Sequence, residues 1–369
     1  MKSRVPFLDV GFTNQVVAAQ LGEAYRRVSD SDYFILGPEL ESFEVELAAA
    51  EGVGHSVGVG NGMDALALIL RALEIGPGDE VIVPSQTFIA TWLAVTQVGA
   101  VPVPVEIRAD TYNLDPKLIE EKLTPRTAAI IPVHLYGQPA EMESIRSIAD
   151  KAGLAVVADG AQSVGARYLN EPVGRFADAT ALSFYPGKNL GALGDGGAVL
   201  TSDAALADRI RGLRNYGSSE KYVHAEAGVN SRLDELQAAF LRAKLPELAG
   251  WNIRRQKIAH VYSVALSDQD LQVPVQIPDA TSAWHLYVVR HARRDDLQRY
   301  LASVGIETLI HYPYPPNLQG AYEKANLPEQ PIAEVQASEI LSLPMGPAMN
   351  DEQVQMVVAA VNDWCAAVD

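Results

Sequence analysis

The sequence predicts an α/β fold, with a mostly parallel sheet in a large domain and a smaller α+β domain at the C-terminal end. Within 62–201, short apolar runs rich in β-branched residues alternate with amphipathic helical segments, and glycine or proline separates them. The 369 residues also exceed the length at which one hydrophobic core usually stops growing. We therefore place the large domain, with its N-terminal segment, at 1–245 and the smaller one at 246–369.

The predicted strands of the large domain follow one another with a helix in most gaps. The strands are 80–84, 101–105, 128–134, 154–159, 179–185 and 197–201. The helices are 64–73, 89–98, 116–122 and 142–152. This alternation is typical of βαβ units, in which helices cover both faces of a parallel sheet. Such sheets bind their ligands at the carboxyl ends of the strands.

A helical stretch at 231–266, interrupted near Pro246, leads from the sheet into the second domain. Beyond it, the pattern predicts a strand at 286–290, a helix at 294–304, a strand at 306–312 and a closing helix at 351–368. The segment Pro313-Tyr314-Pro315-Pro316 is interpreted as a loop, because proline cannot continue either kind of element.

Composition and charge exclude several classes of function. The formal net charge of −17 disfavours binding to nucleic acid or to an anionic membrane. There is no apolar run long enough for a membrane helix and no signal-like start, so we expect a cytoplasmic protein. A single cysteine, Cys365, cannot form an intrachain disulfide, and no Cys/His cluster has zinc-ligand spacing, so no metal is expected.

Two neighbouring strands of the predicted sheet end beside residues that carry chemistry. Asp159 ends one apolar strand, and Lys188 lies 29 positions later, in the glycine-rich run after another. A carboxylate that keeps a pyridine nitrogen protonated and an amine that forms an imine are the two groups that pyridoxal phosphate chemistry needs. Taken singly, Asp159 is more often a turn cap and Lys188 an exposed surface lysine.

A phosphate site is indicated by the run Gly60-Asn61-Gly62-Met63-Asp64, which precedes a predicted helix. Backbone N–H groups and the helix dipole favour an anion at such a start. Ser183, shortly before the lysine, offers a hydroxyl to the same phosphate. The alternatives are an ordinary helix start and a small strand residue.

Three further residues follow strand ends. Phe88 is placed to lie flat on a pyridine ring. Ala161 and Gln162 follow Asp159 closely enough to reach the opposite ring face and the phenolic oxygen. A core aromatic and two turn residues are the alternatives.

Two competing phosphate motifs are rejected by their spacing. A Walker A loop requires Ser or Thr after the lysine and a glycine at position 182, but this chain has Asn189 and Leu182. The run Gly58-Val-Gly60-Asn-Gly62 misses the spacing of the dinucleotide fingerprint. A nicotinamide enzyme is therefore a weak alternative.

Together these motifs resemble the sugar-nucleotide aminotransferases of the DegT/StrS family, within PLP fold type I. The resemblance covers nearly the whole chain and rests on these runs: Asn61-Gly-Met-Asp-Ala65, Pro84-Ser-Gln-Thr-Phe88, Val133-His-Leu-Tyr-Gly137, Asp159-Gly-Ala-Gln162, Ser183-Phe-Tyr-Pro-Gly-Lys188, Arg214-Asn-Tyr-Gly217 and Asn230-Ser-Arg-Leu-Asp-Glu-Leu-Gln237. It implies a ping-pong aminotransferase with glutamate as amino donor. The implied cofactor is pyridoxal 5′-phosphate, with pyridoxamine 5′-phosphate as the intermediate form.

Carried over residue by residue, the resemblance implies that Lys188 attaches the cofactor covalently and Asp159 pairs with its ring nitrogen. The other implied cofactor contacts are Gln162 at the phenolic oxygen, Gly62, Met63 and Ser183 at the phosphate, and Phe88 stacked on the ring. Asn230 looks like the residue that reaches the cofactor phosphate of the neighbouring subunit, which implies a homodimer with sites at the interface. Its alternative role is the N-cap of a helix that starts near Ser231.

Tyr185 and the run around Lys188 are similar to family members that act on dTDP-linked 3-keto-6-deoxyhexoses, in deoxyaminosugar biosynthesis. Further substrate contacts are expected at Lys221, Tyr222, Arg232, His311 and Tyr312, each of which is equally well explained as a surface residue. The alternatives are a 4-keto sugar aminotransferase, a PLP-dependent sugar dehydratase and a non-catalytic sensor. The dehydratases of this family carry His where this chain has Lys188, which argues against the second.

Overall fold

The computed structural model describes residues 5–267 and 269–368. In chain order, the strands are β1 (His55–Val59), β2 (Glu80–Pro84), β3 (Val101–Val105), β4 (Thr127–Ile130), β5 (Ala155–Asp159), β6 (Arg167–Tyr168), β7 (Glu171–Pro172), β8 (Ala179–Ser183), β9 (Gly197–Thr201), β10 (Ser218–Glu220), β11 (Val223–His224), β12 (Ala280–Thr281), β13 (Tyr287–Arg290) and β14 (Ile340–Leu343). The helices are α1 (Val10–Val16), α2 (Ala18–Ser31), α3 (Pro38–Ala50), α4 (Gly62–Ala72), α5 (Ala90–Gln97), α6 (Met142–Ala152), α7 (Ala204–Leu213), α8 (Glu235–Lys244), α9 (Leu248–Leu266), α10 (Arg294–Ser303), α11 (Pro331–Glu339) and α12 (Asp351–Val368).

A seven-stranded sheet in the order β1-β9-β8-β5-β4-β2-β3 forms the centre of the fold. Strands β2, β3, β4, β5 and β8 pair in parallel, whereas β9 is antiparallel to both of its neighbours. The predicted α/β class with a mostly parallel sheet is confirmed. The parallel strands carry their carboxyl ends to one edge, where the residues after β5 and β8 meet.

Hydrophobic residues on both faces hold helices against this sheet. On one face, α4, α5 and α7 pack through a cluster that includes Trp92 and Leu68. On the other, α6 contributes Ile145 and Ala149. Burying such apolar surface contributes about 25 cal/mol per Å² to stability, so the strands beneath are held rigidly.

A separate cluster organises the C-terminal part of the chain. It joins α9, α10 and α12 to β13 and β14, with Tyr262 and Trp364 among its members. The first turn of α9 instead packs with the sheet, through Leu248. The domain boundary we predict between 245 and 246 falls in the 3-10 turn Leu245–Glu247, between α8 and α9.

Several predicted elements are wrong. The segment 116–122 forms two 3-10 turns, Pro116–Leu118 and Glu120–Lys122, rather than an α-helix. Strand β4 ends before Pro132, which has no N–H to donate. The segment 306–312 makes single bridges from Ile306 and Leu309 rather than a strand. We did not predict α1, α2 and α3, which lie in what we treated as an N-terminal segment.

The helix predicted from Ser231 begins four residues later, at Glu235. The Ser231 hydroxyl donates to Asp64 Oδ2 at 2.7 Å and accepts from the Gly60 N–H at 3.0 Å. These contacts hold the chain before Glu235 against the start of α4. As a separate finding, no helix in the described ranges is long and apolar enough to cross a bilayer.

Candidate active site

Asp159 and Lys188 lie at the same edge of the sheet because β5 and β8 are neighbouring parallel strands. Asp159 is in register with Ala181 of β8, which ends at Ser183. The chain then turns tightly, and the Lys188 N–H donates to the Tyr185 carbonyl at 2.8 Å. Each of the two charges acts on the pKa of the other. The structure therefore brings the predicted carboxylate and amine together.

The Asp159 carboxylate is buried and oriented from two sides. Its Oδ2 accepts from the Thr91 hydroxyl at 2.8 Å, and its Oδ1 accepts from the Ala161 N–H at 3.1 Å. Burial raises the pKa of Asp159, while these bonds and the charge of Lys188 oppose the rise. The bond to Ala161 shows that Asp159 also fills the turn-capping role. A buried acid of this kind is stabilised by a cationic partner.

The Lys188 side chain is partly buried, and burial lowers the pKa of its amine to about 8, against the opposing charge of Asp159. Beyond burial, the charge of this amine lowers the pKa of two imidazoles. Burial and then the charge of Lys188 lower the pKa of His311 to about 4, and the same two causes lower the pKa of His285 well below its usual value. An amine with this pKa is part neutral at pH 7, which suits a nucleophile and base.

Gln162 connects two segments that are far apart in sequence. Its Oε1 accepts from the Tyr136 N–H at 2.6 Å, and its Nε2 donates to the Tyr312 hydroxyl at 3.0 Å. The Tyr312 ring lies 5.2 Å from that of Phe88, at 41°. The second amide hydrogen of Gln162 remains for a ligand oxygen. We call Asp159, Lys188, Thr91 and Gln162 the strand-end group.

The start of α4 offers free N–H groups beside β8. Asn61 is the N-cap, and its Oδ1 accepts from the Asp64 N–H at 2.8 Å, while its carbonyl accepts the first intrahelical bond, from the Ala65 N–H, at 3.1 Å. Within residues 5–267 and 269–368, the amides of Gly62 and Met63 have no hydrogen-bond acceptor. A Cβ on Gly62 would lie 2.9 Å from Cβ of Ser183, so the serine side chain is beside these amides. This arrangement suits an anion.

Three predicted substrate contacts, Lys221 and Tyr222 in the β10–β11 hairpin and Arg232 after it, are together called the hairpin group. Lys221 Nζ lies 5.3 Å from the Tyr222 ring centroid in the β10–β11 hairpin. Arg232 donates to Asn215 Oδ1 at 2.9 Å. Within the described ranges, no hydrogen bond, ion pair or ring contact connects this group to Lys188 or Asp159.

The other predicted substrate residues lie closer to the lysine. Tyr185 is in the lysine turn with a side chain that is 60% exposed, so it faces incoming molecules. Nδ1 of His311 lies 2.9 Å from Oγ of Ser342. The His311 carbonyl accepts a hydrogen bond from the Tyr136 hydroxyl. Tyr312 carries a raised pKa because of burial. The hydrogen bond to Gln162 thus places the Tyr312 hydroxyl beside the strand-end group.

Asn230 is exposed and is not a helix cap. Its backbone bridges to Asn215, and the N-cap of α8 is Asp234. The capping alternative is therefore wrong. The next residue, Ser231, bonds Asp64 of α4, and the inter-subunit role of Asn230 stays a prediction.

Sequence reasoning missed three residues of the site. Thr91 lies in the run after β2 that supplied Phe88, but nothing in the pattern showed that its hydroxyl reaches Asp159. His285 is 97 positions from Lys188, so only the folded chain shows their proximity. Asn189 follows the lysine directly and bonds His285 at 3.1 Å.

The donor set of the site fits pyridoxal 5′-phosphate. A buried carboxylate that needs a cationic partner suits a protonated ring nitrogen, and a depressed-pKa amine suits an aldehyde. The free amides of Gly62 and Met63 suit a phosphate, and Gln162 has a donor for the phenolic oxygen. The fit thus rests on hydrogen-bonding groups and pKa shifts of this chain.

Comparison with known proteins agrees with this chemistry. The model of the DegT/DnrJ/EryC1/StrS aminotransferase family matches residues 16–362. The erythromycin biosynthesis sensory transduction protein EryC1 of Saccharopolyspora erythraea is 55% identical over 97% of this chain and 98% of its own. The dTDP-3-amino-3,4,6-trideoxy-alpha-D-glucose transaminase of Streptomyces venezuelae is 52% identical over 99% and 97%. A crystal structure of S. venezuelae DesV in complex with a ketimine intermediate superimposes with a TM-score of 0.97, 51% identity and coverage of 99% and 100%.

Proposed function

The chain belongs to the DegT/DnrJ/EryC1/StrS aminotransferase family, and from that premise we propose that it transfers the amino group of glutamate to carbon 3 of a dTDP-linked 3-keto-6-deoxyhexose. The predicted family and its aminotransferase class are confirmed by the match over residues 16–362. The sugar, nucleotide and position are supported by the name of the Streptomyces venezuelae relative, which shares 52% of its residues with this chain. The observation that carries the proposal is the buried Asp159 beside Lys188.

Pyridoxal 5′-phosphate is the cofactor of this family and, when bound, supplies an aldehyde for amine exchange and a ring that withdraws electrons from the substrate. In this chain, Asp159 would hold the ring nitrogen, and Thr91 keeps the carboxylate in place. Gly62, Met63 and Ser183 would hold the phosphate. Phe88 and Ala161 would cover the ring faces, with Gln162 at the phenolic oxygen.

Lys188 has two tasks in the proposed reaction. It would anchor the cofactor, and as a free amine it would take the α-proton of glutamate and deliver it to the exocyclic carbon of the cofactor, two bonds away. A base works best when its pKa is near the operating pH. Burial lowers the pKa of Lys188 to about 8, so the amine is able both to accept and to release a proton near neutrality.

The ketosugar is proposed to lie between the lysine turn and the segment 311–312. Tyr185, His311 and Tyr312 would contact the sugar there, and the hairpin group would meet the diphosphate and base. Because Lys221 and Tyr222 are exposed, their side chains would become ordered on the nucleotide, whereas Arg232 is already held by Asn215. We further propose a cytoplasmic homodimer in which Asn230 of one subunit reaches the phosphate site of the other.

A coupled assay tests the proposal. Holoenzyme and glutamate should form 2-oxoglutarate, and a panel of dTDP- and UDP-linked 3-keto and 4-keto sugars should then be offered to the aminated enzyme. We expect turnover with a dTDP-linked 3-keto-6-deoxyhexose, and NMR should place the new amine on carbon 3. Turnover with 4-keto sugars alone would contradict the position, and loss of water without amine transfer would indicate a dehydratase.

A further inference from the structure

Asn189, directly after Lys188, lies in a buried chain of hydrogen bonds outside the proposed cofactor contacts. Its Nδ2 donates to the Ala283 carbonyl at 2.8 Å and to Asn252 Oδ1 at 2.9 Å. Its Oδ1 lies 3.1 Å from Nδ1 of His285. One amide therefore links the lysine turn to α9 and to the segment that precedes β13.

Backbone carbonyls, which only accept hydrogen bonds, fix the orientation of both amides. Since Ala283 presents a carbonyl, the Asn189 atom that faces it is Nδ2. Asn252 Nδ2 donates to the Val164 carbonyl at 3.0 Å, so Asn252 turns Oδ1 towards Asn189. Asn189 is then left with Oδ1, an acceptor, towards the imidazole of His285.

This acceptor determines which nitrogen of His285 carries hydrogen. Nδ1 must be an N–H, because it faces an acceptor. Desolvation and then the charge of Lys188 lower the pKa of His285 well below its usual value, so the ring is neutral at pH 7. A neutral imidazole has one N–H. Nε2 is consequently an unprotonated acceptor, on a ring that the 3.1 Å contact with Asn189 holds beside the residue that follows Lys188.

A partly buried ammonium is costly unless an acceptor solvates it. In the described part of the chain, no hydrogen bond is formed by the Lys188 amine itself, although its backbone N–H is bonded to Tyr185. A carboxylate acceptor would hold the proton strongly, whereas a neutral imidazole nitrogen stabilises the ammonium and still lets the proton leave. His285 Nε2 has these properties.

We propose that Asn189 and Asn252 are positioning residues that hold His285 as its Nδ1–H tautomer, and that His285 Nε2 accepts a hydrogen bond from the Lys188 ammonium while the lysine carries the substrate proton. The second half rests on the proposed aminotransferase reaction. The first half concerns the protein alone. It therefore has a test that does not depend on activity.

NMR of protein labelled with ¹⁵N-histidine reads the tautomer directly. The signals of His285 are assigned by their absence in His285→Gln. At pH 7 we expect a protonated Nδ1 and an unprotonated Nε2 in the wild type, and a mixed population in Asn189→Leu, whose side chain offers no acceptor. Protonation at Nε2 in the wild type would overturn the assignment.

A matched pair of variants tests the role of Nε2. His285→Asn keeps an N–H donor towards Asn189 but loses the distal acceptor, whereas His285→Gln places an amide near the Nε2 position. In single-turnover reactions of the holoenzyme with glutamate, we expect His285→Asn to be slower by about 10- to 100-fold, the effect of losing a hydrogen bond to a charged group. Glutamate affinity should be unchanged, and His285→Gln should lose less.

Full activity in His285→Asn, or equal losses in the two variants, would overturn the role of Nε2. Failure of the wild type to react with glutamate would instead contradict the proposed function, and the tautomer measurement would still stand. The two failures are therefore distinguishable.

Discussion

The strand-end group and the hairpin group are held by the fold to very different degrees. Asp159 is 8% exposed and accepts hydrogen bonds from two segments, whereas Tyr222 is 85% exposed and touches Lys221 of its own hairpin. Side chains that are buried and bonded are already ordered before a ligand arrives, while exposed ones lose rotamer freedom on binding. The comparison indicates that chemistry depends on the strand-end group and nucleotide recognition on the hairpin group.

The difference between the groups also has an electrostatic side. Within the strand-end group, burial raises the pKa of Asp159 and lowers that of Lys188. Opposite shifts of this kind move the pKa values of an acid and of an amine towards each other. Changing one group at a time tests whether the two groups have separate roles.

Replacement of the lysine should have the largest effect. Lys188→Ala should still bind the cofactor through the other contacts, but its reaction with glutamate should slow by about 10³-fold, because the base is gone. Stopped-flow absorbance under single-turnover conditions measures this rate. Appreciable activity in the variant would show that another residue is the base.

Replacement of Asp159 should have the second-largest effect on the rate. Asp159→Asn removes the charge that would pair with the ring nitrogen, and we expect turnover to fall by about 10²-fold. The matched control is Thr91→Val, which keeps the carboxylate and removes one donor, and should cost about 5-fold. Steady-state kinetics and circular dichroism on both variants separate catalysis from folding. An equal loss in the two variants would contradict the assigned role of the Asp159 charge.

The pH dependence of the free lysine should give a smaller change. Because burial lowers the pKa of Lys188 to about 8, the neutral fraction of the amine rises as pH increases through that value. The rate at which apoprotein captures pyridoxal 5′-phosphate should increase about tenfold between pH 7 and pH 9 and then level off. A rate that keeps rising towards pH 10.5 would show an unperturbed lysine.

Changes in the hairpin group should have the smallest effect and should act on a different constant. Tyr222→Ala should raise KM for the sugar nucleotide by about 2- to 5-fold, because exposed cation–π and ionic contacts contribute little. The reaction with glutamate should not change. A similar decrease in the rate of the reaction with glutamate would show that the hairpin contributes to the chemistry.

The two groups also show what a sequence reveals. Asp159 and Lys188 were predictable because the first ends an apolar strand and the second follows another, and neighbouring parallel strands bring their carboxyl ends together. The orientation of β9 was not predictable, because residue patterns do not encode strand direction. The contact between Gln162 and Tyr312 spans 150 positions, and the start of α8 depends on Ser231 binding Asp64 rather than on local propensity. Such tertiary contacts override local signals.

Covalent trapping tests the central claim most directly. Holoprotein should be treated with borohydride, digested and sequenced by mass spectrometry, with Lys188→Ala as the control. The structure predicts a reduced pyridoxyl group on Lys188 and none in the control. A pyridoxyl group on another lysine, or on no residue at all, would contradict the assignment of the strand-end group as the catalytic centre.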